Sequence, residues 1–264
     1  MKIAVCMKQV PASSEGNMDP NTGVLIRSGL EAIANVYDKA ALEAALQLRE
    51  RHGGEIHVFT MGPEKAQEVI REAYAMGADK GYLVSDRAFG GADVLATSYT
   101  LMQAIRSAGE YDLILCGRQT TDGDTAQVST ALAEWMGWMQ MNWVTGLEIH
   151  DGGILAECLA DEGTVRMSTA LPCVAAVERD SFIPRMPSLK LKMQGRKKDI
   201  SVIRLQDLED QNPEHYGLTG SATRVKKIFA PERTKQNEVV SMNGSEAAKY
   251  ILNILQSAGW GEGI

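Results

Sequence analysis

Residues 117–128, which read GRQTTDGDTAQV, place small, hydroxyl and acidic side chains between the apolar run DLILC and the helical pattern STALAEWMGW. Backbone N–H groups at a helix start attract anions, and small residues let a phosphate approach them closely. The segment has neither a Walker lysine nor a GxGxxG fingerprint. It predicts a phosphate or pyrophosphate site whose small and hydroxyl residues are Thr120, Thr121, Gly123, Thr125, Ser129 and Thr130.

Part of this pattern has a simpler explanation as a helix start. Asp124 can cap the helix that follows, and Gln127 takes the second position of a capping box. This explanation leaves the hydroxyl residues unexplained. A nucleotide phosphate site and a plain helix start therefore both stay open.

A second candidate segment, FGGAD at residues 89–93, directly precedes the helical pattern VLATSYTLMQAI. A glycine turn in which Asp93 caps the helix is the favoured interpretation from the residues alone. The pair Gly90 and Gly91 also permits close approach of the backbone to a flat cofactor.

These segments must be positioned by the alternating elements of the first half of the chain. Apolar runs such as KIAVC, EIHVF and DLILC alternate with amphipathic helical patterns, which predicts a parallel sheet with helices on both sides. Ligands bind beyond the carboxyl ends of such strands, so four loops matter: after VCMKQV, before NVYD, after VFTMG and after LILCG. We predict a doubly wound α/β fold of the Rossmann-like, adenine-nucleotide-binding type.

The second half of the chain shows a different pattern of secondary-structure signals. After Trp138, short extended segments broken by Asp-Gly-Gly and Asp-Glu-Gly turns predict an antiparallel addition to the sheet. From Glu209 to Ser245 the chain is polar, and only EAAKYILNILQSAG then shows a helical pattern. We therefore divide the chain into an α/β domain at 1–208 and an arm at 209–264 that wraps a partner subunit. A flexible tail is the alternative.

The composition of the 264 residues excludes several classes of protein. A net charge of −7 argues against nucleic acid or an anionic membrane as the main partner. No apolar run approaches the roughly 20 residues of a membrane span, and MKIAVCMKQVP is too short for a signal peptide, so we expect a cytoplasmic protein. The scattered Cys and His residues predict no disulfide framework and no metal site, and the cysteines are expected to be small core residues.

The segments VCMKQVP, NVYDKAALEAALQL, TMGPEKAQEVIREAYAMGADKGYLVSD and LILCGRQTTDGDTAQV together resemble the beta subunit of electron transfer flavoprotein. The resemblance extends to about residue 200, and GRQ-x-x-D-G-D-T-A-Q is its specific element. It implies a heterodimer with an alpha subunit that carries FAD, and it implies that this chain binds either AMP or a second FAD. The chemistry would belong to the flavin, so no catalytic side chain is expected.

The resemblance also implies which residues contact the cofactor. The adenosine end would lie against Cys6, Asn35, Val36, Tyr37, Asp38 and Met61. The phosphates would lie against Asp122, Gly123, Asp124, Thr125, Ala126, Gln127, Val128, Ser129 and Thr130.

The FGGAD segment resembles the NADH-dependent, electron-bifurcating branch of the family. This resemblance implies that Phe89, Gly90, Gly91, Ala92 and Asp93 contact NADH, although Val94 stands where that branch has a small polar residue. NADH would reduce the FAD of this chain. One electron would pass to the alpha-subunit FAD and an acyl-CoA dehydrogenase, and the other to ferredoxin or flavodoxin.

The segment PRMPSLKLKMQGRKKDI corresponds to a loop that, in the family, inserts a leucine into a dehydrogenase partner, and Leu189 takes that place. A mobile surface loop is the alternative, because the sequence departs from the family pattern RYATLPN. Two other functions stay open: a non-bifurcating electron carrier that binds AMP, and a non-redox nucleotide-binding module. An ATP-hydrolysing or adenylating enzyme is disfavoured because the SGGxDS-type loop and the Walker lysine are absent.

Overall fold

A nine-stranded, mostly parallel sheet organises the protein. The computed structural model describes residues 1–12, 32–226 and 239–260. The strands of the chain are β1 (Lys2–Cys6), β2 (Gln9–Pro11), β3 (Ala32–Ala34), β4 (Glu55–Met61), β5 (Lys80–Val84), β6 (Leu113–Gly117), β7 (Met139–His150), β8 (Gly153–Ala160), β9 (Gly163–Ala170), β10 (Cys173–Val177) and β11 (Ser201–Ile203). The large sheet has the order β11-β5-β4-β1-β6-β10-β7-β8-β9, while β2 and β3 form a separate two-stranded antiparallel sheet.

Helices cover both faces of this sheet. The helices of the described residues are α1 (Val36–His52), α2 (Gln67–Met76), α3 (Val94–Ser107), α4 (Val128–Met136), α5 (Leu189–Gly195) and α6 (Gly244–Ser257), and those that cover the sheet are α1 to α4. On one face, α1 and α2 pack on alternate strand residues such as Val5 and Val58. On the other face, α3 and α4 pack on the intervening residues, such as Ala4 and Phe59. The predicted mixed α/β class with a large, mostly parallel sheet is confirmed.

The strand order reverses beside β1. The chain proceeds from β1 to β4 and β5 on one side, and then crosses to β6 on the other side of β1. The carboxyl ends of β1 and β6 therefore diverge into loops on opposite sides of a crevice, where open α/β sheets bind their ligands. The loop after β1 and the quoted loop after β6 both begin at this crevice.

The antiparallel addition predicted after Trp138 is confirmed for β7, β8 and β9. β10 comes from the same stretch of sequence, but it lies between β6 and β7 and is parallel to both. All five residues of β10 are buried, which is typical of an interior strand covered on both faces. The segment with Leu189 differs from the expected loop, because Leu189 is the first residue of α5.

The described residues up to 226 form one compact unit, and those from 239 belong to a second. The second unit contains α6, whose start is closed by a capping box between Asn243 and Glu246, so the predicted helix is confirmed. The division at residue 208 and the arm's role stay predictions, and residues 227–238 and 261–264 of that arm lie outside the described residues. Across the described part of the chain, no helix is both long and apolar enough to span a membrane.

Candidate functional site

An ion pair joins the two loops across the crevice between β1 and β6. Lys8 Nζ lies 2.7 Å from Asp122 Oδ1 and 2.8 Å from Asp122 Oδ2. Both side chains remain partly exposed, so the lysine charge faces the crevice and is accessible to an anion. Our sequence interpretation missed Lys8. Its signal was a cation two residues beyond the end of β1.

Asp38, in the first turn of α1, holds the backbone of both loops. Its carboxylate accepts hydrogen bonds from the Lys8 N–H at 2.7 Å and from the Gly117 N–H at 3.2 Å. The approach is so close that a Cβ on Gly117 would lie 2.3 Å from Asp38 Oδ1, which makes glycine necessary there. Burial raises the pKa of Asp38 to about 7, although these hydrogen bonds act in the opposite direction.

Asn35 precedes α1 and is fully buried. Its Nδ2 donates to the carbonyl of Gln119 at 2.8 Å, which adds a second tie between α1 and the loop after β6. Its Oδ1 is buried and has no hydrogen-bond partner. An unsatisfied buried acceptor is costly, so this atom marks a place where a ligand donor would be stabilised.

The loop after β6 does not use Asp124 as a helix cap. The N-cap of α4 is Gln127, which makes no side-chain capping bond, so the predicted capping box is wrong. Asp124 and Ala126 have φ values of 51° and 53°, and these left-handed residues turn the chain before the helix begins. Asp124 instead accepts a hydrogen bond from Gln119 Nε2 inside the loop.

The start of α4 presents free hydrogen-bonding groups. The first N–H groups of a helix, here those of Val128, Ser129 and Thr130, have no intrahelical partner. The Ser129 hydroxyl is buried and also lacks a partner. A helix start with an unsatisfied buried hydroxyl can hold a phosphate or pyrophosphate.

Cys6 and Cys116 form the floor of the crevice, as the paired last residues of the β1–β6 register. The hydrogen bond with Cys6, and after it burial, raises the pKa of the Cys116 thiol well above its usual range. Both cysteines are buried and small, as expected for core cysteines. Met61, at the end of β4, is half-buried at the same edge of the sheet.

Arg118 extends the site towards β7 and was not predicted. Its guanidinium lies 4.1 Å from the Trp143 ring centroid and 5.4 Å from that of Tyr37, and it pairs with Glu178 at 2.9 Å. Trp143 has a φ of 58° where β7 shifts register against β10. A positive φ is rare for so bulky a residue and is typical of a functional or strained position.

The FGGAD segment lies at the carboxyl end of β5. Asp93 caps α3 through the Ala96 N–H at 3.1 Å, which is the helix start that the residues alone favoured. Its other carboxylate oxygen accepts from Thr223 N at 2.8 Å and from Thr223 Oγ1 at 2.9 Å. Phe89 is buried against Tyr216, whereas Gly90 and Gly91 are exposed.

The family model of the electron transfer flavoprotein domain matches residues 22–208 of this sequence. The chain belongs to the electron transfer flavoprotein family. It is 39% identical over 258 residues to the electron transfer flavoprotein subunit beta of Thermoanaerobacterium thermosaccharolyticum, covering 97% of this chain and 98% of that protein.

Two further relatives are similar over most of the chain. The caffeyl-CoA reductase-Etf complex subunit CarD of Acetobacterium woodii is 39% identical over 242 residues, which covers 91% of this chain and 92% of that protein. Protein FixA of Sinorhizobium fredii is 38% identical over 262 residues, with coverages of 97% and 92%.

Within this electron transfer flavoprotein chain, the predicted cofactor residues fall into two groups around one crevice. Cys6 and residues 35–38 form one side and the floor, and residues 122–130 form the loop and helix start opposite. Residues 89–93 lie at the end of β5, separated from β1 by β4. Leu189 belongs to another surface, on α5, where its side chain is 75% exposed.

Proposed function

We propose that this chain is the beta subunit of a heterodimeric electron transfer flavoprotein, that it binds FAD in the crevice between β1 and β6, and that NADH reduces this flavin. The observation that carries the proposal is a pair of buried polar atoms without partners: Asn35 Oδ1 on the α1 side and Ser129 Oγ at the start of α4. Buried polar groups are nearly always hydrogen-bonded, so an orphan on each side of one crevice favours a polar ligand between them.

The donors on the α4 side suit a pyrophosphate. The N–H groups of Val128, Ser129 and Thr130 and the Ser129 hydroxyl would hold its oxygens at the helix start. Lys8 would supply positive charge from the opposite loop, exchanging part of its ion pair with Asp122 for the ligand. The remaining loop residues from Asp122 to Gln127 would shape the backbone around the phosphates. Two phosphates would use these groups more completely than the single phosphate of AMP.

The residues of the α1 side would hold the adenosine end. Asn35 would accept a hydrogen bond through its free Oδ1, with Val36 and Tyr37 beside it. Asp38 would keep both loops in register through its bonds to Lys8 and Gly117. Cys6 and Met61 would provide a small floor and an apolar wall. FAD, when bound, would supply hydride acceptance and single-electron transfer, and the protein would set its position.

We propose that NADH approaches at residues 89–93, where Gly90 and Gly91 are exposed and carry no side chain. Ala92 would border the same surface. Phe89 would support it from below by packing on Tyr216. Both oxygens of Asp93 already accept hydrogen bonds from the chain, so we propose that Asp93 fixes the segment and that any contact with NADH is secondary.

We propose an alpha subunit that carries its own FAD, an acyl-CoA dehydrogenase, and ferredoxin or flavodoxin as the partners of this chain. The Acetobacterium woodii relative is named as a subunit of a caffeyl-CoA reductase-Etf complex, which supports an enzyme of CoA esters as one partner. The exposed Leu189 would contact the dehydrogenase.

The test is a count of flavin and AMP per purified heterodimer, followed by anaerobic NADH titration of the flavin absorbance. Two FAD, no AMP and rapid bleaching by NADH are expected. One FAD with AMP would assign the chain to the non-bifurcating electron carriers. A colourless complex that binds a nucleotide without redox change would indicate a non-redox module.

A substitution at Gly90 tests the proposed NADH approach. Gly91 has a φ of 74° and its Cβ would lie 3.2 Å from Leu218, so Gly91→Val would strain the fold as well as obstruct a ligand. Gly90 has a φ of −66°, which valine can adopt, and its Cβ would lie 3.3 Å from the Arg87 carbonyl oxygen, so Gly90→Val strains the backbone less than Gly91→Val. Gly90→Val should slow NADH reduction about tenfold or more while flavin content and dithionite reduction stay unchanged. Reduction by NADH at the parental rate would remove residues 89–93 from the proposed site.

A further inference from the structure

The chain has four cysteines, and two of them lie side by side in the large sheet. Cys6 is the last residue of β1, Cys116 is the next-to-last residue of β6, and the two are direct partners in the parallel β1–β6 register. The register partners of the other two, Cys158 on β8 and Cys173 on β10, are valine, leucine and methionine residues. The chain therefore contains one adjacent cysteine pair and two solitary cysteines that serve as internal controls.

The spacing of the pair permits a covalent bond between the two sulfur atoms. Neighbouring strands of a sheet lie about 4.8 Å apart, and disulfides usually join residues whose Cα atoms are about 4.4 to 6.8 Å apart. Both side chains point to the same face of the sheet, where they belong to the apolar cluster formed with α3 and α4. A hydrogen bond already links the two thiols. A disulfide between Cys6 and Cys116 would therefore need no change of strand register.

The pair is accessible only from the crevice between β1 and β6. Cys6 is 8% exposed and Cys116 is 5% exposed. Ala4 and Ile114, two residues earlier on the same strands and the same face, are completely buried. The residual exposure therefore arises at the carboxyl ends of the strands, where the loops after β1 and β6 diverge. A molecule bound on this floor would block the approach of a small oxidant to both sulfur atoms.

The electron transfer proposed above gives these two thiols no chemical step. Cys6 is a lining residue of the proposed cofactor site, and Cys116 lies beside it. Small apolar side chains would fill the same space, so packing alone does not require a thiol at both positions. Two adjacent thiols can form a covalent bond that an added dithiol reverses, which two apolar side chains cannot do.

We propose that Cys6 and Cys116 are a redox modification site: a peroxide oxidises them to an intrachain disulfide when the crevice holds no ligand, and a bound adenine nucleotide prevents this reaction. The inference rests on the proposed function for the occupant of the crevice. The reaction of the two thiols with each other does not depend on which nucleotide that occupant is.

The reaction proceeds in two balanced steps. The Cys6 thiolate attacks one oxygen of hydrogen peroxide, the O–O bond breaks, and the hydroxide that leaves takes up the thiol proton to form water. The Cys116 sulfur then attacks the sulfenic acid on Cys6, the S–O bond breaks, and a second water molecule leaves with the Cys116 proton. Two thiols and one hydrogen peroxide thus give one disulfide and two water molecules.

The environment of the pair assigns the two roles. The hydrogen bond with Cys6 and burial raise the pKa of the Cys116 thiol, so Cys116 keeps its proton. A proton donor beside a thiolate stabilises the charged form. Cys6 is therefore the sulfur that attacks the peroxide, and Cys116 is the sulfur that resolves the sulfenic acid.

The experiment compares heterodimer stripped of the nucleotide held by this chain with the same heterodimer refilled with FAD or with AMP. Each sample is treated with hydrogen peroxide, denatured and labelled with N-ethylmaleimide, and this chain is analysed by mass spectrometry. In the stripped sample two of the four cysteines should escape labelling, and their peptides should be linked through Cys6 and Cys116. In the refilled samples the disulfide should form at least about tenfold more slowly, because the reaction then follows the small open fraction.

Variants test the pairing and the two roles. Cys116→Ser should accumulate a sulfenic acid on Cys6 that dimedone captures, whereas Cys6→Ser should leave Cys116 reduced. The double variant of Cys158→Ser and Cys173→Ser is the matched control, and its disulfide should form at the parental rate. Dithiothreitol should restore all labelled thiols in the parent. Dimedone capture on Cys116 instead of Cys6 would overturn the assignment of the attacking sulfur.

The remaining outcomes separate this inference from the proposed function. Four labelled cysteines in the oxidised, stripped parent would overturn the site, and so would a linkage that involves Cys158 or Cys173. Equal rates in stripped and refilled samples would overturn the protection by the nucleotide. Protection by AMP without protection by FAD would support the inference and contradict FAD as the occupant.

Discussion

Lys8 places a positive charge at the point where the strand order reverses. It follows β1 by two residues, and its ammonium group bridges to Asp122 in the loop after β6. A cation beside the loop that leads into α4 can add charge-assisted hydrogen bonds to a bound anion, which the partial charge of the helix start alone does not supply. This residue therefore distinguishes the crevice from an ordinary turn between a strand and a helix.

We expect Lys8→Gln to weaken FAD binding about fivefold, corresponding to about 1 kcal/mol, because the side chain is partly exposed and water screens its charge. The measurement is fluorescence quenching as FAD is added to heterodimer stripped of the flavin held by this chain. Asp122→Asn is the matched variant, since it frees Lys8 and should leave the affinity equal or higher. Equal weakening in both variants would show that the ion pair only supports the loop.

Asp38 should make FAD binding depend on pH near neutrality. Its pKa is raised to about 7 by burial, so below that pH it is neutral and above it a negative charge appears beside the loops that would hold the phosphates. An anionic ligand raises the pKa of Asp38 further. The affinity for FAD is therefore highest below about pH 7, falls as pH rises through 7, and becomes constant above the pKa that Asp38 has in the complex. The pyrophosphate of FAD stays fully charged throughout.

Affinities measured between pH 6 and pH 8.5 test this expectation. The decline should disappear in Asp38→Asn, whose carbonyl can still accept a hydrogen bond from Lys8 or Gly117. A decline that persists unchanged in this variant would assign the titration to another group.

The sequence predicted those secondary-structure elements whose signal is a local pattern of apolar and polar residues. The alternation of β1, β4, β5 and β6 with helices could be predicted from apolar periodicity, and so could α6. The start of α4 could not be predicted, because Asp124 and Ala126 adopt positive φ values that residues other than glycine seldom adopt. The position of β10 between β6 and β7 could not be predicted either, because an apolar run does not indicate which strands it pairs with.

The site depends on contacts between residues distant in sequence. Lys8 and Asp122 are separated by 114 positions, and Asp38 and Gly117 by 79. The sequence showed that the loops meet at one edge of the sheet, but it could not show which side chains bridge them. Likewise, Asp93 was predictable as a cap of α3, whereas its bonds to Thr223 depend on the folded chain.

Asp93 joins two elements, so its loss should cost more than a helix cap alone. Its carboxylate caps α3 and accepts a hydrogen bond from the Thr223 backbone N–H, and its own backbone N–H donates to Ser221 Oγ at 2.9 Å. Asp93→Ala should lower the free energy of unfolding by about 2 kcal/mol, of which about 1 is the cap. Urea unfolding measures this difference, and Thr223→Val should account for a smaller part of it.

The pH dependence of this loss follows from the carboxylate. Burial opposes ionisation of Asp93, but its hydrogen bonds with Ala96 and Thr223 lower its pKa overall. The stability it contributes is therefore present above the ordinary Asp pKa and is lost as pH falls through the lowered value. The stabilities of the parent and Asp93→Ala should converge as pH falls below this lowered pKa. A constant difference from pH 7 to pH 2 would show that the charge is irrelevant.

At the scale of the whole molecule, residues 209–226 belong with the first unit. Tyr216 is fully buried, its ring contacts Phe89 and Tyr99, and Tyr99 Oη donates to Asp210 at 2.7 Å. The polar composition of residues 209–226 gave no sign that Tyr216 is a buried aromatic residue. A truncation that removes the proposed partner-binding arm and leaves the α/β domain intact must therefore end after Tyr216.

Two truncations separate folding from assembly. A chain ending at Lys226 keeps Tyr216 and the bonds of Thr223 to Asp93, so its thermal unfolding should match the parent, while its affinity for the alpha subunit should fall at least about tenfold because the amphipathic α6 is lost. A chain ending at Leu208 also loses the buried Tyr216 side chain, and large aromatic deletions from a core cost about 3 to 5 kcal/mol.

Calorimetry of each chain measures its stability, and titration with the alpha subunit measures its affinity. Full affinity in the chain ending at Lys226 would locate the subunit interface elsewhere, and unchanged stability in the chain ending at Leu208 would show that residues 209–226 are not part of the folded domain.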